Sequence, residues 1–364
     1  MSTPVITINL VIYNGEKYTR RCLDSILKQT YPHELIEVNI LDNASTDSTK
    51  EIIKSFGFRI SDFGFTKFFS HNNEKNLGMW PGQEELLKHS HGEYIIALSV
   101  DVILHQDFIK NTVEVMKHDP HIGALQAKVY KYELGSLITA NYSLPTTTID
   151  TLGFQIFRSR RITNIGHGEE DQVGLSCYAK ATQDTAKICY KQIFAVEGAV
   201  PVFRRQALED CRLKSQGGKI VEPDFFWYGD DLDLAWRMRI FGWKQVYTPS
   251  VVAWHDRKTT KALAGGWKEF IKIRKIVPMF KRRLDWRNTT LTIIKNDFTA
   301  NLLRDLIYIL WRQLRLWAYF LIFEPTMFAE IFKVAKMLPK MLKRRREIMQ
   351  KVRLSAKDFR QWIH

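Results

Sequence analysis

Three carboxylates fall within four residues at Asp230-Asp231-Leu232-Asp233, directly after the aromatic run Phe225-Phe226-Trp227-Tyr228-Gly229. The pattern opens a helix, whose dipole offsets part of their mutual repulsion. A carboxylate beside others in an aromatic pocket has its pKa raised and can serve as a general base. Simple acidic preference at a helix start would place the same residues there without chemistry. A further carboxylate, Asp101, ends the apolar run that begins at Tyr94, and the run then continues to Leu104. A charge in such a place is costly unless something uses it, and ligands of α/β proteins sit where strands end. Asp101 is therefore a candidate ligand for a metal or a phosphate-bound cation, or else a capping or loop residue. His255 closes a second apolar run, Val251–Trp254. Alone it reads as structural; paired in space with Asp101 it would be a credible divalent-metal ligand.

Asp42 ends another buried run and leads into Asn43-Ala44-Ser45-Thr46-Asp47-Ser48. A carboxylate there could accept the imide N–H of uracil or thymine. Helix capping suits Asp47 or Ser45 better than Asp42. Asn76-Leu77-Gly78 precedes a helix and would bring backbone N–H groups toward a ligand. Arg237 and Arg239 follow the acidic cluster as candidate phosphate or acceptor contacts, or as ion-pair partners of Asp230 or Asp233.

The elements that must position these groups alternate. Strands are expected at Val5–Ile12, Ile36–Leu41, near Thr66–Ser70, at Tyr94–Leu104 and at Gly123–Val129. Helices are expected at about Glu16–Gln29, to about Ser55, at about Met79–His89 and after Asp107. Residues 131–195 are less regular. Glu197–Phe203 reads as a strand, Asp231–Phe241 as a helix and Lys244–Thr248 as a short strand. This order predicts an α/β sheet covered by helices on both faces. There is no repeat and no low-complexity segment.

The chain has 364 residues, 45% of them hydrophobic, and a net charge of +15. The charge is uneven. Residues 1–257 carry 29 Lys and Arg against 31 Asp and Glu, while residues 258–364 carry 25 against 8. A basic tail of this kind suggests a polyanionic surface as partner. Leu302–Phe323 is mostly apolar and aromatic but contains Arg304, Asp305, Arg312 and Arg315. It reads as an interfacial rather than a spanning helix, with Trp311, Trp317 and Tyr319 suited to the headgroup zone. Pro325 ends it. The basic amphipathic stretch Phe328–Leu342 runs on into Lys343-Arg344-Arg345-Arg346. Packing on the preceding domain or on a second copy of the chain is the alternative. No nucleic-acid motif is present, so nucleic acid is excluded as a partner. Cys22, Cys177, Cys189 and Cys211 are scattered without a CxxC pair, which predicts free thiols in a reducing cytosol. The opening Met-Ser-Thr-Pro leads straight into a strand, so no signal peptide is expected.

Taken in order, these motifs resemble the family-2 inverting glycosyltransferases of GT-A fold, and within them the bacterial rhamnosyltransferase-like branch. The likeness covers roughly residues 4–257. It rests on Tyr13-Asn14, Leu23-x-Ser25-Ile26-x-x-Gln29-Thr30, Asp42-Asn43-x-Ser45-x-Asp47, Asn76-Leu77-Gly78 and Ser99-Val100-Asp101. Ile149-Asp150-x-x-Gly153, Gly166-His167-Gly168-Glu169, Asp171, Gly198-Ala199 and Gly229–Arg239 complete it. Two departures stand out: Ser99-Val100 precedes Asp101 where an acidic or Asn/Pro pair is usual, and Asp230-Asp231 replaces a Glu-Asp pair.

The resemblance implies a GT-A mixed sheet, with a catalytic domain over 1–257 (donor half about 1–105, acceptor half about 106–257). Residues 258–364 would then be a basic helical region on the membrane surface. It implies a nucleotide-diphosphate sugar donor, with dTDP-rhamnose the first choice, and a saccharide or lipid-linked saccharide acceptor in bacterial surface polysaccharide assembly. A UDP-hexose or UDP-N-acetylhexosamine donor, or an inactive binding module, are the alternatives. Tyr13, Asn14, Asp42, Asn76, Gly78, Ser99 and Asp101 would bind donor. Mg²⁺ or Mn²⁺ would sit on Asp101 and His255, and Asp231 would be the base. Asp230, Asp233, Trp227 and Arg237 would touch acceptor or phosphate. The expected place is the cytoplasmic face of the membrane.

Overall fold

The computed structural model describes residues 5–135, 146–171, 188–257 and 267–364. Ile6–Ile12 (β1) and Ile36–Asp42 (β2) are buried at every position, as parallel strands covered on both faces must be. Between them, Glu16–Leu27 forms α1, which buries Cys22, Leu23, Ile26 and Leu27 along one stripe. Thr49–Arg59 (α2) leads to Lys67–Asn72 (β3), a half-exposed edge strand. Met79–Leu87 (α3) returns the chain to Tyr94–Ser99 (β4). β1 lies between β2 and β4, with Ile12 opposite Asp42 and Val11 opposite Ser99. The three strands stop level with one another, so the loops that follow them meet at one edge of the sheet.

The apolar run to Leu104 is not one strand. β4 stops at Ser99, the chain turns at Val100-Asp101, and Val102–Leu104 (β5) pairs with a different strand. Periodicity could not show this, because both pieces are buried. Next come Phe108–His118 (α4), Ile122–Lys131 (β6), Ile149–Thr151 (β7), Phe154–Ile156 (β8), Ile162–Asn164 (β9) and Lys191–Gln192 (β10). Val202–Arg204 (β11), Arg205–Asp210 (α5), Asp230–Ile240 (α6) and Lys244–His255 (β12) follow. The expected strand at 197–203 shrinks to β11, and Glu197–Ala199 is loop. β12 is longer than expected: a register shift between Thr248 and Val252 carries it past Pro249 to His255. The sheet runs β10-β12-β6-β11-β4-β1-β2-β3, mixed in direction, and β8 and β9 form a separate hairpin.

The C-terminal segment is helical: Trp267–Ile276 (α7), Met279–Asn296 (α8), Thr299–Arg304 (α9), Leu306–Phe323 (α10), Phe328–Lys351 (α11) and Ala356–Phe359 (α12). α8 packs on α6 and on α11. Phe359 and Ile363 enter the same core as Trp236, and the Phe359 ring stacks on Trp236 at 5.8 Å. Lys295, wholly buried, pairs with Glu222 at 2.6 Å and Asp233 at 2.7 Å. Arg160, also buried, pairs with Asp297 at 2.6 Å and Asp305 at 2.8 Å.

Two expectations change. The basic run 343–346 is not one solvated face. Arg344 pairs with Glu222 and Asp224, and Arg345 donates to the carbonyls of Ile294 and Asp297, leaving Lys343 and Arg346 exposed. Nor are the thiols all free: Cys22 and Cys211 are, but Cys189 is disulfide-bonded. Cys177 and residues 258–266, where the tail was expected to begin, lie outside the described residues.

Candidate active site

The loops after β1, β2 and β3 are tied together before any ligand arrives. Asn14, in the left-handed region at φ 48°, donates its N–H to Ser45 Oγ at 2.9 Å, and its Oδ1 accepts from Thr46 N at 2.8 Å. Asn43 is buried and does most of the joining. Its Nδ2 donates to Asn76 Oδ1 (2.9 Å) and to the Gly78 carbonyl (3.1 Å), and its Oδ1 accepts from Leu77 N (3.0 Å) and Asn73 Nδ2 (2.9 Å). Gly78 has φ +93°, and a Cβ there would lie 2.2 Å from the Phe226 carbonyl oxygen. Only glycine fits both constraints.

Asp101 and His255 are brought together by backbone pairing. His255 lies opposite Val102 across β12 and β5, and Asp256 N donates to the Asp101 carbonyl at 3.1 Å. His255 Nε2 is 3.3 Å from Asp101 Oδ2, and its Nδ1 is 2.9 Å from Asp150 Oδ2. Arg257 continues the chain, reaching Asp150 at 2.7 Å and Glu197 at 2.8 Å. Burial alone would lower the His255 pKa. The Asp101 charge and the hydrogen bonds to Asp101 and Asp150 outweigh it and raise it to about 10. Burial likewise opposes ionisation of Asp101, but the His255 charge holds its pKa below the usual range.

These two side chains can hold a divalent ion. Asp101 Oδ2 and His255 Nε2, 3.3 Å apart, are the atoms that would hold it, once Nε2 gives up the proton that its raised pKa keeps there. Among the described residues no cluster of three His, Cys, Asp or Glu side chains could hold a metal. The remaining positions would fall to phosphate oxygens and water, as is usual for Mg²⁺.

Asp231 sits at the start of α6. Its Oδ2 accepts from Gly198 N at 3.1 Å and its Oδ1 from Leu232 N at 2.8 Å. A Cβ on Gly198 would come within 2.8 Å of Asp231 Oδ2, so the absent side chain is what admits the carboxylate. The aromatic loop before α6 is held from α8: Asn288 Nδ2 donates to the carbonyls of Trp227 (2.9 Å) and Tyr228 (2.7 Å). Tyr228 and Gly229 both have positive φ.

Tyr13, Asn76, Gly78, Ser99, Asp101, Trp227, Asp231 and His255 all line one cavity of about 800 Å³, which residues of α7, α8 and α10 also line. The other expected site residues do not line it. Asp42 is wholly buried, and both its oxygens accept from Ser45 N, so it shapes the loop behind the wall. Asn14 acts as a latch between loops. Arg237 is buried and donates to the Ile220 carbonyl and Asp233, and Arg239 donates to the carbonyls of Phe194 and Gln245. Both arginines are spent inside the protein. Asp233 is held by Lys295 and Arg237. Asp230 is buried with neither oxygen partnered among the described residues, and burial followed by the Asp231 charge raises its pKa well above the usual carboxylate value. Sequence reasoning missed Asn43, Glu197, Arg257 and Asn288. Asn43 stood next to Asp42 in a quoted motif, whereas the others carry no local signal.

Residues 7–169 match the family model described as Glycosyl transferase family 2. The chain is 29% identical over 147 residues to the dolichyl N-acetyl-alpha-D-glucosaminyl phosphate 3-beta-D-2,3-diacetamido-2,3-dideoxy-beta-D-glucuronosyltransferase of Methanococcus voltae, covering 38% of this chain and 44% of that one. It is 23% identical over 267 residues to a poly-beta-1,6-N-acetyl-D-glucosamine synthase of Staphylococcus epidermidis, covering 73% and 53%. The chain thus spans about half the length of these curated relatives. Its fold is similar to GalNAc-T7 solved with UDP, GalNAc and Mn²⁺ (TM-score 0.56, 12% identity, 81% of this chain and 48% of that one). It is also similar to residues 1–349 of S. aureus TarS in complex with UDP (TM-score 0.51, 14% identity, 98% and 91%). Residues 7–169 are a glycosyl transferase family 2 domain, and the mixed sheet that carries them has the GT-A fold.

Proposed function

We propose that the chain is an inverting glycosyltransferase that moves a sugar from a nucleotide-diphosphate donor to a hydroxyl of a saccharide or lipid-linked saccharide. The observation that carries this reading is the shared cavity, lined both by a carboxylate held at a helix start and by an Asp–His pair at the strand ends. Tyr13, Asn76, Gly78 and Ser99 line the donor side. Asp101 and His255 would hold Mg²⁺ or Mn²⁺, which supplies charge to offset that of the leaving diphosphate. Asp231 takes the proton of the acceptor hydroxyl, whose oxygen attacks the anomeric carbon as the bond to the diphosphate oxygen breaks. A single displacement inverts the configuration and needs no second nucleophile. Trp227, beside the base, lines the acceptor side.

The donor sugar follows less directly. The rhamnosyltransferase-like motifs favour dTDP-rhamnose. The names of the M. voltae and S. epidermidis relatives favour an acetamido sugar instead. The M. voltae name also includes a lipid-phosphate saccharide. α10 supports a lipid-side acceptor: by length and composition it is apolar enough to cross a membrane, and Ile307, Leu310, Leu314 and Leu321 are exposed on it. We read it as lying on the inner face of the cytoplasmic membrane, since its other face carries charge into the cavity.

Calorimetry with dTDP-rhamnose, UDP-glucose, UDP-galactose and UDP-N-acetylglucosamine, each with Mg²⁺ and with chelator, tests this. Metal-dependent binding of one donor is expected. Folded protein that binds none of them would sink the nucleotide-sugar reading.

A further inference from the structure

Asp150 and Glu197 are buried carboxylates that transfer chemistry at Asp231 does not use, and one guanidinium answers both. Arg257 Nε donates to Asp150 Oδ1 and Oδ2 at 2.7 and 2.9 Å, and its Nη2 donates to Glu197 Oε1 at 2.8 Å. The Arg257 side chain is 10% exposed, and it lines the same cavity as Asp101, Asp231 and His255.

Each carboxylate has a second task. Asp150 Oδ2 lies 2.9 Å from His255 Nδ1, so the other ring nitrogen is left facing Asp101. His167 Nδ1 lies 2.7 Å from the Asp150 carbonyl, which ties both of these motif residues to one place. Glu197 Oε2 accepts from Ala199 N at 3.0 Å, and Glu197 N donates to Gln126 Oε1 at 2.7 Å. Between Glu197 and Ala199 stands Gly198, whose N–H holds Asp231 Oδ2. The Ala199 carbonyl accepts from Ser99 N at 3.0 Å, two residues before Asp101.

These contacts form a continuous path from Asp101 through His255, Asp150, Arg257 and Glu197 to the loop that holds Asp231. It joins the β4–β5 turn, β7, the end of β12 and the loop before β11. Displacement at a sugar carbon needs the leaving group and the attacking oxygen held in line, and a misplacement of about 1 Å can cost about 10²-fold. The groups assigned to the two tasks stand on different elements, so something must fix one against the other. A planar guanidinium presents several donors in a rigid fork and can hold two carboxylates at once, whereas an ammonium on a flexible stem is a point charge.

We propose that Arg257 is a positioning residue shared by both halves of the site: through Asp150 it sets the His255 ring, and through Glu197 it sets the Gly198 N–H that holds Asp231. This rests on the glycosyltransferase reading for its purpose, while the coupling itself can be measured without turnover.

The test follows two readouts in the full chain. Calorimetric titration with UDP and with dTDP, each with Mn²⁺ and with chelator, reports the donor side. Hydrogen–deuterium exchange at the Gly198 and Ala199 amides, with the Ile8 and Leu10 amides of β1 as reference, reports the base side. Arg257→Gln should weaken metal-dependent nucleotide binding by about 10–100-fold, as for loss of an outer partner of a metal ligand. It should also speed exchange at Gly198 and Ala199 by about tenfold or more, as for loss of a hydrogen bond to a charged group, with β1 unaltered. Arg257→Lys keeps the charge without the fork; it should move both readouts the same way by less, and it serves if Arg257→Gln fails to fold. Unaltered exchange at Gly198 and Ala199 would overturn the proposal, as would unaltered nucleotide binding. Equal acceleration in β1 would also overturn it, since Arg257 would then support general stability alone. A wild type that binds neither nucleotide with Mn²⁺ would strike the donor reading, and the exchange at Gly198 and Ala199 would then decide whether Arg257 sets that loop.

Discussion

On the strand-end side of the cavity, Tyr13, Asn76, Gly78 and Ser99 are placed by parallel register and by hydrogen bonds between adjacent loops, with Asn43 at their centre. On the helix side, Asp231 stands on a helix whose next carboxylate, Asp233, is neutralised by Lys295, 62 residues further along the chain. The first side joins its loops by neutral hydrogen bonds, with the ion pairs of Asp101, His255, Asp150 and Arg257 beside them. The second depends on buried charges, which resist any change that leaves one of them alone. The family match stops at residue 169, before α6 and all of the C-terminal helices. The matched residues include Tyr13, Asn76, Gly78, Ser99 and Asp101, whereas Asp231 and His255 lie beyond them.

The contrast can be broken at either wall. Asp231→Asn should lower kcat by about 10²–10⁴-fold, the usual range for a general base, with donor affinity unchanged by calorimetry. Near-normal turnover would move the base elsewhere. Lys295→Met leaves Glu222 and Asp233 buried beside an apolar chain, and should cost about 3–5 kcal/mol in urea unfolding. If it costs nothing, the charges on that side do not hold α6. Asp101→Ala should weaken metal-dependent donor binding by at least about tenfold, since losing even an outer partner of a metal ligand costs about 10–100-fold. Unaltered binding in Mg²⁺ and in chelator would remove Asp101 from the donor site.

Asp230 provides a pH test. Its folded pKa is raised, so the folded state keeps a proton that the unfolded chain gives up above about pH 4. That contribution to stability is fully present below the unfolded value and is lost as pH rises toward the folded one. Asp230→Asn, which carries no such proton, should match wild type near pH 4. By pH 8 it should be the more stable, because the wild type must then keep a proton that the unfolded chain gives up or bury a charge. A pH-independent difference would contradict the assignment. The smallest effect is expected at Lys340, whose pair with Asp224 is half exposed. Lys340→Gln should shift stability by no more than about 0.5 kcal/mol, and a loss comparable to that of Lys295→Met would erase the distinction between buried and surface pairs.

The sequence by itself determined the alternation of β1 to β4 with α1 to α3. It did so because strands buried on both faces and helices buried on one leave different apolar patterns. It also determined which carboxylates stood at element ends, so Asp101, Asp231 and His255 could be named before their geometry was known. It could not separate Asp42, which ends buried behind the wall, from Asn43, which faces the cavity, because adjacent residues in one loop differ only in the direction the backbone turns them. Nor could it see that the apolar run at Asp101 breaks into two strands, or that Arg237 and Arg344 are spent inside the protein. Those outcomes turn on which distant partner reaches each charge first. Glu222 meeting both Lys295 and Arg344, or Asn288 holding the loop before Asp231, is a contact between segments dozens of residues apart that no local pattern encodes. Only the folded chain decides such pairings, because a buried charge is tolerated where its partner arrives and nowhere else.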